Sequence, residues 1–267
     1  MLATLRTDLA MARYGYARWA AYPAATLAGM FTNVVFGFMR SYVLLALFAQ
    51  REHIGAYDAT RALTYVWLTQ GLLMTVFIWG WNDLAMRIRT GDIAVDLVRP
   101  IHPLRMTLAA DYGRALYHGA FRGIPPFIVG ALFFPLVMPG DALTWLVFAV
   151  SIVLAIATSV GYRLVYNAAA FWLMDSRGPA LAAGLLATLF SGFLVPVAFF
   201  PDWLARVAHA TPFPSMIQTP VDIFVGAVVG ADVLAALLVQ LAWAVVMLAT
   251  AAGVIALGTR RLVIQGG

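Results

Sequence analysis

The sequence contains no lysine and no cysteine, and only 11% of its residues are charged. Each shortage excludes something. Without lysine there is no Walker A loop, whose lysine reaches the β and γ phosphates of a nucleotide, and no Schiff-base chemistry. Without cysteine there is no disulfide, thiolate nucleophile or thiolate metal site. A soluble domain carries roughly 25% charged residues, so this chain of 267 residues has too few to cover a water-facing surface. The net charge of +5 rests on arginine alone. A GC-rich genome also favours arginine codons, so the lysine gap by itself names no function.

What is abundant is apolar: 63% of residues, gathered in runs. Apolar runs of about 20 residues read as helices that cross a bilayer. They recur from end to end, which predicts a single membrane domain, 1–267, with no soluble appendage. The expected fold is all-α, with six spans at 23–48, 62–81, 123–138, 142–174, 180–200 and 233–257. The fourth is longer than a bilayer needs and should tilt or protrude.

Upstream, Leu2, Leu5, Leu9, Ala12, Tyr16 and Trp19 recur in steps of three and four. That spacing predicts an amphipathic helix over 1–22 lying in the membrane interface; a cytosolic extension of the first span is the alternative. Arg6, Asp8, Arg13 and Arg18 leave no short apolar core there, so no cleaved signal is expected. Residues 201–232 are broken by Pro201, Pro212, Pro214 and Pro220. Proline interrupts helices, which points to short helices dipping into or lying on the outer interface rather than a seventh span.

Arginine placement orients the chain. With both termini inside, Arg6, Arg13, Arg18, Arg87, Arg89, Arg99, Arg105, Arg114, Arg122, Arg177, Arg260 and Arg261 are cytoplasmic, against Arg51, Arg61 and Arg206 outside. The positive-inside rule selects that arrangement. Arg40 and Arg163 fall within apolar runs near opposite interfaces, where each can snorkel to headgroups or serve a substrate pathway or an inter-helix pair. Asn33, Gln70, Asn82, Asn167 and Gln240 read first as hydrogen-bonding glue between helices. Trp67, Trp79, Trp81, Trp145, Trp172 and Trp203 read as an interfacial belt. His53, His102, His118 and His209 show no metal-ligand spacing, and no catalytic motif is found.

The loop at 84–118 is the most informative segment. Gly91 breaks the chain, Asp92 is placed as a helix cap, residues 92–98 form two short turns, and Pro100 ends them. Such a short, partly apolar cytoplasmic helix suits docking. Here the sequence resembles the permease subunits of ABC-2-type exporters. The likeness rests on Gly91-Asp92-Ile93 through Leu97-Val98-Arg99-Pro100, on 190–203 (FSGFLVPVAFFPDW), on Pro212-Phe213, on 219–226 (TPVDIFVG) and on the tail 258–267.

The resemblance implies an N-terminal interfacial helix, a coupling helix between spans 2 and 3, and short re-entrant helices between spans 5 and 6. It assigns Gly91, Asp92, Ile93, Asp96, Leu97 and Arg99 to docking on an ATP-binding subunit dimer. That dimer, not this chain, would carry ATP and magnesium. It further implies a second permease, identical or homologous, with spans 1, 2 and 5 lining the route. Asn33, Arg40, Gln70, Phe193 and Phe199 are the pathway residues expected there. The setting implied is a bacterial inner membrane, with membrane lipids and no nucleic acid as partners.

Two other readings stay open. A secondary transporter or channel fits the spans, although such proteins usually keep a carboxylate at mid-membrane. A lipid-modifying membrane enzyme would have only Asp111, His118 and Asp175 to work with.

Overall fold

The computed structural model describes residues 2–78, 80, 82–98, 101–173 and 176–261. Trp79, Trp81, Arg99, Pro100, Asp175 and the 262–267 tail lie outside them. Among the described residues the chain is helical, with one isolated bridge between Ile54 and Tyr57 as its β feature.

Helix α1 runs Leu2–Ala20 and α2 Pro23–Phe48, the latter opened by a proline whose missing N–H costs nothing in the first turn. Helix α3 (Ala59–Leu72) is capped by Asp58, whose carboxylate accepts from the Arg61 amide at 2.8 Å, and it continues as a π turn, Leu73–Phe77. Two short helices follow, α4 (Asp83–Thr90) and α5 (Ile93–Leu97). Then α6 (Pro103–His118), a π turn (Gly119–Gly123) and α7 (Ile124–Phe133) form one unbroken helical rod. Helix α8 covers Ala142–Ala168, with Asp141 accepting from the Thr144 amide at 2.8 Å. The remainder is α9 (Arg177–Phe190), α10 (Asp202–His209), α11 (Gln218–Val225) and α12 (Ala231–Thr259). Among the described residues, three helical stretches are long and apolar enough to cross a membrane: Pro23–Phe48, Ala142–Phe171 and Ala231–Thr259.

Two stretches differ from the expected spans for a local reason. The run at 123–138 stays helical only to Phe133. Phe134 is extended, at φ −132° and ψ 146°, because it precedes Pro135. The helix instead reaches back to Pro103, so Arg114 and Arg122, expected in a polar loop, stand on it. In 180–200 the helix ends at Phe190. Gly192 turns at φ 85°, and Pro196 leads into a 3₁₀ turn at Val197–Phe199. A helix of 14 residues is about 21 Å long.

Glycines set the close approaches. The ring of Trp67, fully buried, lies between α2 and α7: a Cβ on Gly37 would meet it at 2.6 Å, and one on Gly130 at 2.3 Å. Trp67 was expected in an interfacial belt; the two glycines give it a seat in the interior instead. Exposed Trp145, Trp172 and Trp203 remain at the surface.

Helix α1 lies along α6 in the same way. A Cβ on Gly15 would sit 1.9 Å from the Ala110 carbonyl oxygen, and one on Gly113 1.7 Å from that of Ala12. Its supposed apolar face is therefore divided. Ala12 and Trp19 turn to the protein and Tyr16 packs edge-on against Tyr117, while Leu5 and Leu9 stay exposed along the groove beside α6. The Arg105–Asp8 pair at 2.6 Å clamps its first half and Arg18–Asp83 at 2.7 Å its last turn.

Buried apolar side chains form two clusters. One gathers Leu44, Phe48, Tyr57, Tyr65, Phe213 and Met216; the other gathers Leu84, Ile88, Ile93, Leu164 and Ile255. Helix α8 threads both, and Gly161 lets α12 pack against it at the Met247 backbone.

Filling either side of the Trp67 slot should overpack it. Gly37→Ala or Gly130→Ala is expected to cost about 1–3 kcal/mol, read as a lower midpoint in detergent thermal unfolding. Acid should loosen α1. The hydrogen bond from Arg105 holds the Asp8 carboxyl below the usual carboxylate range. A carboxyl lowered on folding stabilises above its unfolded value of about 3.9 and loses that effect as pH falls through the folded value. Hydrogen exchange in residues 4–12, corrected for intrinsic rates, should rise below about pH 4. In Asp8→Asn it should already be raised at neutral pH, with no further acid step.

Candidate functional site

The turn expected to dock a partner is built on α4 and α5. Gly91 ends α4 in the left-handed region, at φ 83°, where a side chain would be strained. Asp92 does not cap α5; its carboxylate accepts from the Thr90 hydroxyl at 2.7 Å instead. Its helical backbone, at φ −61°, aims the side chain back along the turn rather than at the α5 amides. Ile93 is fully buried. Asp96 is buried too, and its carboxylate meets Arg87 of α4 at 2.6 Å. What α5 shows to the outside is apolar: Val95, Leu97 and Val98, the last 84% exposed. Arg99 lies outside the described residues.

This turn is tied to the body of the molecule. The Ala85 amide of α4 donates to Asn167 Oδ1 at 3.1 Å, and Asn167 Nδ2 donates to the Arg163 carbonyl at 2.7 Å. Helix α4 thus hangs from the end of α8, and Arg18–Asp83 joins it to α1.

Behind α4 lies a cavity of about 540 Å³, walled by α1, α4 and α6, with Tyr14, Trp19, Arg87, Asp96, Asp111 and Arg114 on its lining. Its inner wall is an ionic cluster. Asp111 receives Arg114 at 2.7 and 2.9 Å and Arg163 of α8 at 2.5 Å, and all three side chains are buried. Arg114 also donates to the Met74 and Thr75 carbonyls freed by the π turn of α3. Both guanidinium groups lie over the ring of Phe77, at 4.7 and 5.0 Å from its centre. Phe77 has φ 62°, an uncommon value for a bulky side chain. Its carbonyl accepts from Ser159 at 3.0 Å, and Ser159 in turn accepts from Arg163. Buried as an inter-helix pair, Arg163 does not snorkel, because Asp111 offers a charged partner within the protein.

At the other apolar cluster an arginine is held by carbonyls instead. Arg40 of α2 donates to the carbonyls of Phe193 and Leu194 at 2.7 and 2.9 Å and to Thr69 at 3.2 Å, with the Phe193 ring 5.3 Å away. It pins the non-helical segment that follows α9, so protein carbonyls rather than headgroups hold it. Gln218 satisfies the same segment. Its carbonyl accepts from Tyr65 and the Val197 amide, and its amide donates to Tyr57 and Asp222. Asn33 donates to the Gln70 and Arg122 carbonyls at 3.1 and 3.4 Å, joining α2, α3 and the third rod. Phe199 packs on Phe48 and Tyr57. Arg40 and Phe193 are therefore brought together, Asn33 and Gln70 form a second contact, and Phe199 stands with a third group.

Comparison with known proteins then decides the family. The model of the family described as ABC-2 family transporter protein matches residues 34–266. The chain belongs to that family. It is accordingly a membrane component of a transporter. No curated protein and no solved structure matches it.

Several residues of this ABC-2 protein had escaped notice in the sequence. Asp111 stood out only as a candidate acid, and Arg114 only as a loop charge. Their spacing of three, which makes them neighbours on a helix, was the available signal. Val95 and Val98 carried none, because their exposure depends on which side α5 rests.

Removing the shared carboxylate should be more damaging than removing an exposed one. Asp111→Asn leaves two buried guanidinium groups underpaired, a loss of about 3–5 kcal/mol. Asp92→Asn should change little. Monodisperse yield and thermal midpoint in detergent, compared between the two, check this.

Proposed function

We propose that this chain is one permease of an ATP-driven exporter in a bacterial inner membrane, working with a second permease and a separate ATP-binding subunit dimer. The observation that carries the reading is the tip of α5. Val95, Leu97 and Val98 form an exposed apolar face on a short helix locked from behind by Ile93 and by the Arg87–Asp96 pair. An apolar face on a rigid mount is suited to a cleft in a protein partner. Family membership supports that partner's being an ATP-binding subunit, which would hold the ATP and magnesium this chain has no lysine loop to bind.

Motion imposed on α5 has a defined route inward. The Arg87–Asp96 pair passes it to α4, the Ala85–Asn167 bond passes it to α8, and the Arg18–Asp83 pair carries α1 along. Nucleotide-driven closure of the ATPase dimer would thereby shift α1, α4 and α8 against the remaining helices.

We read the chain as six spans with both ends in the cytoplasm, supported by the arginine bias. The third is the rod from α6 to α7. The fifth is α9 with the segment pinned by Arg40, and α10 and α11 are re-entrant elements on the outer side. Asn33, Arg40, Gln70, Phe193 and Phe199 remain the proposed pathway residues; Arg40 and Asn33 would act by fixing its walls.

Charging the docking face is the direct test. Val98→Asp should weaken co-purification of the ATP-binding subunit at least tenfold, the scale of a central interface residue, and abolish ATP-dependent export while the protein still inserts. Asp92→Asn and Arg99→Gln should uncouple hydrolysis from export more mildly. Full association and full export in Val98→Asp would reject the docking face. Export that persists without ATP and stops when the proton gradient collapses would place the chain among secondary transporters instead.

A further inference from the structure

Arg122 is a cation placed where α2 meets the rod. It stands in the π turn between α6 and α7, and among the described residues no carboxylate pairs with it. Its Nε atom is buried without a hydrogen-bond partner. The guanidinium lies flat on α2, where Gly29 makes room: a Cβ there would sit 2.1 Å from Nη2 and 2.2 Å from Cζ. The seat is thus formed by the absence of a side chain.

Its surroundings indicate what fills the vacancy in charge. Leu27 on α2, and Leu116, Phe121 and Ile124 on the rod, leave apolar side chains exposed on both helices that meet at the seat. One turn toward the α2 N-terminus, the Thr26 and Tyr117 hydroxyls meet at 2.9 Å. Tyr22, exposed, marks the rim. Gly29 lies about 9 Å along α2 from Pro23, a depth from which an arginine reaches headgroups by extending its stem along apolar surface. An arginine cannot shed its proton there; Arg40 is met by protein carbonyls, whereas Arg122 meets no carboxylate among the described residues.

We infer that Arg122, seated on Gly29 beside the Thr26–Tyr117 hydroxyl pair, binds the phosphate of an anionic phospholipid in the leaflet at the α2 N-terminus. In the orientation proposed above this is the cytoplasmic leaflet, and the inference rests on that reading only for the choice of side. The lipid phosphate would add a contact where α2 meets the rod, beside those already made by Asn33, Phe38 and the Trp67 ring.

The test uses the intact assembly in nanodiscs of phosphatidylcholine with a minority of phosphatidylglycerol. Lipid retained after detergent washing is measured by native mass spectrometry, and ATPase-subunit association is measured on the same samples. Arg122→Gln should retain about fivefold less phosphatidylglycerol, the effect of one basic residue near an anionic surface. Arg122→Lys should keep most of it. Gly29→Leu preserves the charge but occupies the seat, and should lose as much as Arg122→Gln; it decides the question if Arg122→Gln fails to insert. Soluble inorganic phosphate should not displace the lipid. Equal phosphatidylglycerol retention by the wild type and both disruptive variants overturns the site. Efficient displacement by inorganic phosphate would assign it to a soluble anion, and a cross-link from Arg122 to an acidic residue of a second permease would assign it to a protein interface. Either outcome rejects the lipid. Subunit association is read separately, so failure of the docking face and failure of the lipid site are distinguishable.

Discussion

A single carboxylate, that of Asp111, holds together the end of the molecule nearest α5. It joins α6 to α8 through Arg163, and Arg114 extends the contact to the carbonyls at the π turn of α3. Removing an arginine from water is costly unless its donors are met. Here two guanidinium groups share one acid, two backbone carbonyls, a serine hydroxyl and an aromatic face. The arrangement explains several local irregularities at once. The π turn of α3 frees the carbonyls that Arg114 needs, and the left-handed backbone of Phe77 presents its ring between the two cations. Strained or irregular backbone persists where its neighbours fix it from every side.

The opposite end is organised by amides and carbonyls rather than by ion pairs. The chain leaves its helix at Ser191, and its free backbone groups are taken up by Arg40, Tyr65 and Gln218. Backbone without helical hydrogen bonds at membrane depth requires such shelter. The two ends therefore differ in kind: arginines paired to a carboxylate beside α5, and an arginine held by carbonyls on the non-helical segment. Helix α8 passes through both and packs along α12 at Gly161. There Gln240 closes a third network, accepting from Ser151 and donating to the Ser215 carbonyl at 2.8 Å. A push delivered at α5 reaches α8 within two hydrogen-bonded steps, which makes α8 the natural rod for any movement between the ends.

Much of the architecture was legible in the order of residues. Long apolar runs read as helices, the prolines of 201–232 read as interruptions, and Gly91 read as a break. Each rests on local chemistry: burial in lipid, a missing N–H, a backbone free of Cβ. The break at Gly91 and the short helix after it stand where expected, but the side chains they expose are not those the sequence suggested. Asp96 looked available and is buried against Arg87. Val98, assigned no role in the sequence, is largely exposed. Both outcomes depend on the rotation of α5 about its axis, which packing against α4 sets and five residues of sequence do not encode.

The sequence by itself determined the solvent, the helical class and the absence of a nucleotide loop. These follow from composition and from runs that no tertiary contact can change. Only the tertiary structure decided what the charges do. Arg163 and Arg40 sit in similar apolar runs, yet one meets a carboxylate and the other meets carbonyls. Arg114 and Arg122 stand eight residues apart on one rod. The first is saturated inside the protein, and the second rests on a glycine with its Nε unpaired. A charge in a low-dielectric setting is governed by whatever stands within a few ångströms, and those neighbours come from distant parts of the chain.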